Sequence, residues 1–342
     1  MDSKRKFETA DLDLSAYLER PKKRRKKIIK RPVTPHLSSI RDLREIADTG
    51  IEYENVNSSM LWRIKAELRE IEDLIGMEEL KATLFQQIVF YIQDFHDIQE
   101  GEYLHTMISG PPGVGKTSVA KIIGRLYRNL GILSRDGIFK IAKRDDFIAK
   151  YLGQTAIKTN RLLESCIGGV LFIDEAYSLG HSDGRDSYSK EAIDTLNAFL
   201  SENKNNFCCI IAGYEKDLQR CFFSVNQGLE SRFSWVHRIK SYSAQDLAKI
   251  FVDMSQKARW DLVPTLSTIS EIIDKNKELF GSFGRDINKF LTKSKIAHAK
   301  RVICLSHHHK RILTKEDLDN GIKLMKNHVQ KEDSKPPPGM YL

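Results

Sequence analysis

The 342-residue sequence predicts a three-layer αβα domain on a parallel five-stranded sheet, followed by a small all-helical domain. Three observations predict it. Apolar, strand-like runs alternate with helical stretches through the middle of the chain, the pattern of a parallel sheet covered by helices on both faces. After Ser241 the strand-like runs cease and only helical periodicity continues. The length, at roughly 150 residues per domain, leaves room for about two such units.

In chain order, residues 1–57 read as a basic, disordered arm. They show no helical or strand periodicity, are rich in charge and contain Pro21, Pro32 and Pro35. The α/β domain is expected over 58–240. Leu61, Ile64, Leu68 and Ile71 recur every three to four residues, as on an amphipathic helix, and a second helix is expected over 78–98. Strands are expected at 103–109, 138–143, 169–173, 207–213 and 235–241, with helices at 116–130, 155–167, 187–202 and 215–223 between them. The helical domain, 241–330, is expected to hold helices at 243–259, 265–280, 284–304 and 314–330. Ser243 and Thr314 suit N-caps, each with an aspartate three residues on. Residues 331–342, with the run Lys335-Pro-Pro-Pro-Gly339, read as a disordered tail.

Composition narrows the function classes. Hydrophobic residues make up 41% and charged residues 30%, enough apolar material for a core. The net charge of +9 is concentrated in the arm: residues 1–32 hold 12 basic and 5 acidic side chains. No uncharged apolar run approaches the ~18 residues of a membrane-spanning helix, so no membrane partner is expected. The charged first residues, with no apolar stretch behind them, do not read as a secretory signal. The five cysteines form no CxxC pair and sit in apolar stretches, which fits reduced, buried thiols in a reducing intracellular compartment. Cys208 and Cys209, neighbours on one strand, are expected to point alternately in and out. His307-His308-His309 has no cysteine or carboxylate at ligand spacing and reads as a solvated turn.

The chemistry lies in two segments. Gly110-Pro111-Pro112-Gly113-Val114-Gly115-Lys116-Thr117 matches the P-loop pattern GxxxxGK[ST] in full, between an apolar strand and a helical stretch that continues through Ser118. Glycines let successive backbone N–H groups and a helix N-terminus face an anion. Lys116 is then expected to reach the β- and γ-phosphates of ATP, and the Thr117 hydroxyl to bind Mg²⁺. The second segment, Gly169-Val-Leu-Phe-Ile-Asp174-Glu175, ends an apolar strand in two carboxylates, with Asp174 58 residues after Lys116. Open α/β sheets bind ligands at that edge. Asp174 suits the Mg²⁺ shell and Glu175 the general base that polarises the attacking water. Together the two segments predict a P-loop NTPase that hydrolyses nucleotide.

The order of P-loop, acidic strand end, further strand and helical C-terminal part resembles the AAA+ ATPases. Several segments are similar to their CbbX/SpoVK-like group, which includes the red-type rubisco activases. They are Leu74-Ile-Gly-Met-Glu-Glu-Leu-Lys81, Tyr151-Leu-Gly-Gln-Thr-Ala156, Gly169-Val-Leu-Phe-Ile-Asp-Glu-Ala-Tyr-Ser178, Lys190-Glu-Ala-Ile-Asp-Thr-Leu196, Ile211-Ala-Gly-Tyr214 and Gly228-Leu-Glu-Ser-Arg-Phe233. The likeness covers about residues 58–325. It implies that Ile75 and Gly76 face the adenine, that Arg232 is an arginine finger for a neighbouring subunit's γ-phosphate, and that Arg285 is the sensor-2 arginine. It also implies that Tyr214 occupies the sensor-1 position, where many relatives have Asn or Thr, and that the chain forms a homo-oligomeric ring, a hexamer by family likeness. Tyr151, Leu152 and Gly153 would form the central pore loop. The polar segment 181–187 reads either as a second loop lining the pore or as a solvated connection.

An aromatic, aliphatic and glycine triplet suits gripping an extended protein client: large contact area without sequence preference, on a backbone that bends. Lys150 beside it keeps a DNA track open as the alternative, a loader or helicase-like factor using the arm. Arg20–Arg31 holds nine basic residues in twelve. That run reads as a nuclear import signal for an import receptor, as a nucleic-acid contact, as both, or as a plain solubilising tail. The expected location is nuclear.

Overall fold

A strand covered on both faces must be apolar at consecutive positions, as the runs 170–173 and 208–213 of the central sheet are. The computed structural model describes residues 37–50, 52–53, 55–95, 103–151, 153–180, 186–226, 228–306 and 310–333. Its main sheet comprises β1 (Thr106–Ser109), β2 (Phe139–Ala142), β3 (Val170–Ile173), β4 (Cys208–Gly213) and β5 (Trp235–Arg238). The order is β2-β3-β4-β1-β5, with every neighbouring pair parallel. Side chains alternate between two cores. Ile108, Val170, Phe172, Cys208, Ile210 and Ala212 enter one, and Met107, Leu171, Ile173, Cys209 and Ile211 the other. Cys208 and Cys209, expected to alternate in and out, are therefore both fully buried, one beneath each helical layer.

The first layer is built from α1 (Ile40–Thr49), α2 (Ser58–Arg63), α3 (Lys65–Glu72), α4 (Glu78–Ile92) and α5 (Lys116–Leu130). The opposite layer holds α6 (Arg144–Phe147), α7 (Thr155–Glu164) and α8 (Ser187–Glu202), joined by α9 (Glu215–Asp217) and the π turn Leu218–Phe222. Here the expected arm needs correction. Within 1–57, α1 is a formed helix: Ser39 and Asp42 make a capping box, Gly50 closes the end at φ 65°, and Ile40, Leu43, Ile46 and Ala47 pack into the core. The expected helix over 78–98 ends at Ile92, and that over 215–223 is broken into α9 and the π turn. Arg20–Arg31 and residues 334–342 lie outside the described residues, as do Leu152, 181–185 and 307–309.

The C-terminal unit contains α10 (Ala244–Lys257), β6 (Asp261–Leu262), α11 (Leu266–Asp274), α12 (Gly284–Val302), β7 (Ile312–Leu313) and α13 (Lys315–Asp333) around its own core. Expected to be wholly helical, it also carries the parallel pair β6–β7, two residues long. Ser243 caps α10 through a box with Asp246. Thr314 makes the matching exchange with Asp317, which also accepts from Arg301 at 2.8 Å. No described helix is long and apolar enough to cross a membrane.

Candidate nucleotide site

The P-loop leaves β1 at Ser109 and becomes helical at Lys116, so its backbone turns between a strand end and a helix N-terminus. Gly113 sits at φ 73°, and a β-carbon there would lie 2.0 Å from the Ser282 carbonyl. Only glycine fits, on both counts. Lys116 Nζ donates to the carbonyls of Gly110 and Pro111, each at 2.8 Å, and lies 5.2 Å from the Tyr214 ring centroid. Burial lowers its pKa, while the charges of Asp174 and Glu175 pull the other way. Ser118, the next helical residue after Thr117, is exposed.

Asp174 and Glu175 follow β3 at the same edge of the sheet. Thr117 Oγ1 stands 3.4 Å from Asp174 Oδ2. Two hard oxygen donors converging there fit Mg²⁺, which prefers one or two protein oxygens and completes its shell with phosphates and water. Among the described residues no group of three or more His, Cys, Asp or Glu could hold a metal by itself. Glu175 is exposed and left-handed, at φ 52° and ψ 47°. For a non-glycine residue that conformation costs about 1–3 kcal/mol, and such strain collects at functional sites. It turns the chain sharply into a 3₁₀ turn, Ala176–Leu179, whose Ser178 N–H donates back to the Glu175 carbonyl at 2.8 Å.

The C-terminal unit closes over the P-loop. Gly284 N donates to the Gly113 carbonyl at 3.2 Å, which places Arg285, exposed in the first turn of α12, beside the loop. Its charge is felt at Lys116. Ile75 and Gly76 are half-buried on the turn before α4. Gly76 has φ 65°, and a β-carbon on it would touch the Tyr242 ring at 3.4 Å. Arg232 lies elsewhere. It precedes β5, whose first residue pairs with Thr106, and donates to Ser201 Oγ at 2.8 Å and to the Gly228 carbonyl. It therefore stands at the N-terminal edge of the sheet and the P-loop at the other, across strands spanning roughly 13 Å. Tyr151 is 68% exposed beyond β2, and Gly153 at φ 75° has open space around it.

Three residues given no role by sequence reasoning also reach this region. Tyr242 donates its hydroxyl to the Val114 carbonyl at 3.0 Å and packs edge-on against Phe283; burial, with the Asp246 charge, pushes its pKa to about 12. Tyr177 stacks on Tyr214 with centroids 5.7 Å apart, its pKa pushed to about 12 by burial foremost and by Glu175. Arg144 bonds to the 3₁₀ turn after Glu175. Tyr177 lies inside the Asp-Glu-Ala-Tyr run and was legible there; Tyr242 and Arg144 carry no local motif.

A phosphate-cradling loop, paired carboxylates and a docked helical lid define a P-loop nucleotide-binding protein of the AAA class. The sequence model of the "ATPase family associated with various cellular activities (AAA)" matches residues 106–234. Stage V sporulation protein K of Bacillus subtilis is 35% identical over 248 residues, covering 69% of this chain and 75% of that protein. The CfxQ homolog of Galdieria sulphuraria is 30% identical over 290 residues, covering 80% and 93%. A cfxQ-like protein, R730, of Acanthamoeba polyphaga mimivirus is 38% identical over 252 residues; the match covers 73% of this chain but only 62% of that protein. The chain belongs to the AAA+ ATPase family, in its CbbX/SpoVK-like group. The solved FIGL-1 AAA domain in complex with ADP superposes with a TM-score of 0.55 at 16% identity, covering 77% of this chain and 88% of that one, a likeness of fold.

Proposed function

We propose that the protein is a Mg²⁺-dependent ATPase that works as a homo-oligomeric ring, a hexamer by family likeness, and pulls on a protein client at a central pore. One observation carries the proposal: Lys116, Thr117, Asp174, Glu175 and Arg285 gather at one edge of the sheet while Arg232 stands at the other. An arginine at the far edge does not serve its own P-loop, but suits the site of a copy stacked head to tail, and heterologous contacts that close make rings.

In this reading the backbone N–H groups of 110–116 and the Lys116 ammonium hold the β- and γ-phosphates, with Ile75, Gly76 and Tyr242 against the adenine. Mg²⁺, held by Thr117 and Asp174 with the phosphates, would neutralise charge on the transferring group. Glu175 accepts the proton of the attacking water as its oxygen bonds to the γ-phosphorus. The bond to the β-phosphate oxygen breaks, giving ADP and phosphate. Arg285 from the lid and Arg232 from the neighbour stabilise the developing charge, and Tyr214 reports on the phosphate. The exposed Tyr151, hinged at Gly153, grips the client. The basic run Arg20–Arg31 directs the protein to the nucleus and offers a contact for nucleic acid.

The test is ATP turnover with Mg²⁺ as a function of protein concentration, alone, with a permanently unfolded polypeptide, and with single- or double-stranded DNA. Specific activity should rise with concentration and with polypeptide. Stimulation by DNA alone would replace the protein client with a nucleic-acid track. Flat specific activity across the dissociation range would remove the ring. Exclusion from the nucleus of a fluorescent fusion lacking Arg20–Arg31, against nuclear entry of the parent, checks the location.

A further inference from the structure

The side chain of Arg144 joins three elements that the reaction and the pore loop depend on. It sits on α6, two residues after the end of β2 and seven before Tyr151. Its Nη1 donates to the Ser178 carbonyl at 2.6 Å, to the Leu179 carbonyl at 3.2 Å and to Ser189 Oγ at 2.9 Å. Its Nη2 pairs with Asp186, the N-cap of α8. Asp186 is held down to about 2: burial opposes this, but the Ser189 and Arg144 hydrogen bonds outweigh it. One planar cation thus binds the turn that follows Glu175, the helix that leads into the Tyr151 loop, and the start of α8.

We propose that Arg144 is a positioning residue that transmits the nucleotide state of the Glu175 turn to the Tyr151 loop. The inference rests on the reading of Glu175 as the carboxylate facing the γ-phosphate. Glu175 is left-handed and its carbonyl is bonded by Ser178 N–H, so rotation at Glu175 moves the Ser178 and Leu179 carbonyls. Those carbonyls end the 3₁₀ turn, and the acceptors offered to Arg144 move with them. The stem of the loop is fastened to α6 and α7, not left slack. Lys158 donates to the Ile148 carbonyl at 2.9 Å, Thr159 to the Phe147 carbonyl at 3.2 Å, and Ala149 N–H to Thr155 Oγ1 at 3.3 Å. A displacement of α6 therefore reaches the loop tip through a short, hydrogen-bonded stem. Lysine cannot replace the guanidinium here: a single ammonium does not span a carboxylate on one nitrogen and two carbonyls and a hydroxyl on another.

The test reads the loop directly. Cys221 and Cys304, the cysteines not fully buried, are changed to serine, and exposed Lys150 is changed to cysteine and labelled with an environment-sensitive fluorophore. Emission is compared with ADP and with a non-hydrolysable ATP analogue, each at saturation, alongside the affinity for each nucleotide. The labelled parent should show a difference between the two nucleotides. In Arg144→Lys that difference should fall about fourfold or more while both affinities stay within about twofold of the parent. Asp186→Asn, which keeps an oxygen for the backbone cap, should lose about half of it. The inference is overturned if the parent shows no difference, or if Arg144→Lys keeps it in full. Should Arg144→Lys not fold, an undiminished difference in Asp186→Asn overturns it equally. Failure of the parent to bind either nucleotide would instead overturn the nucleotide reading beneath it.

Discussion

The Tyr242 hydroxyl donates a 3.0 Å hydrogen bond to the Val114 carbonyl, joining the neck of the lid to the middle of the P-loop. The same ring lies edge-on to Phe283 and against Gly76, so one side chain touches the lid, the cradle and the turn before α4. Tyr242→Phe keeps the ring and deletes the bond. Such a bond contributes about 1 kcal/mol, so ATP should bind up to about fivefold more weakly. Tyr242→Ala removes the wall as well and should weaken binding further. Calorimetric titration with ATP checks both, and equal affinity in all three proteins would remove the neck from the site.

Glu175 is the carboxylate that geometry leaves open to water, whereas Asp174 is half-buried and faces Thr117. Glu175→Gln keeps size and backbone but cannot accept a proton. Turnover should fall by about 10²–10⁴-fold with ATP affinity little changed. Asp174→Asn should instead weaken the Mg²⁺ dependence of binding. If Glu175→Gln hydrolyses ATP at the parental rate, the general base is another group.

The cradle was legible because its parts are local: a strand, a glycine-rich turn and a helix start within a dozen residues fix the backbone at Gly110–Thr117. The strand ending in Asp174-Glu175 was legible for the same reason, and the wholly apolar β3 and β4 announced a sheet buried on both faces. α1 was not read, although its stripe of Ile40, Leu43, Ile46 and Ala47 is periodic. Ten residues beside a long charged, proline-bearing stretch are outvoted when the whole segment is weighed together. The β6–β7 pair is two residues long on each side and has no period to detect. Tyr242 meets Val114 from 128 residues away, and Arg144 meets Ser178 from 34. Neither contact exists in the sequence until the sheet order brings it about.

The separation of Arg232 from the P-loop gives a complementation test. On the ring reading, Arg232→Ala lacks the group offered to a neighbour, along with its bonds to Ser201 and the Gly228 carbonyl in its own chain, and Lys116→Ala lacks the ammonium of its own cradle. Each alone should be nearly inactive. A finger where measured is worth about 10³–10⁵ in rate, and complete loss of it should be unmistakable. Mixed in equal parts, the two should recover about a quarter of parental turnover, since a site works when an intact cradle meets an intact finger in a head-to-tail contact. Steady-state turnover of co-refolded mixtures measures this. No recovery at any ratio would mean that Arg232 acts within its own subunit or not at all.

Two of the buried histidines, His105 and His237, should make the fold less stable in acid. Burial pushes His105 and His237 down to about 4. Their folded values lie below the unfolded value of about 6.5, so the unfolded chain binds the extra protons in between. Their contribution is intact above about pH 6.5 and is lost as pH falls toward 4. His105 is satisfied, accepting from Cys209 N–H on Nδ1 at 3.2 Å, with the Leu200 carbonyl 3.4 Å from Nε2. His237 is fully buried on β5, and neither ring nitrogen has a hydrogen-bond partner among the described residues. Between about pH 7.5 and about pH 5 each should cost the fold about 2 kcal/mol. His237→Met puts an apolar side chain of similar size in place of the unpartnered imidazole and should remove its share of that loss, with little change or a gain at neutral pH. Asp186, held near 2, retains its contribution throughout this window and does not blur the measurement. Urea unfolding midpoints at the two pH values check it: an identical pH slope in His237→Met and the parent would show that His237 is not held neutral by the core.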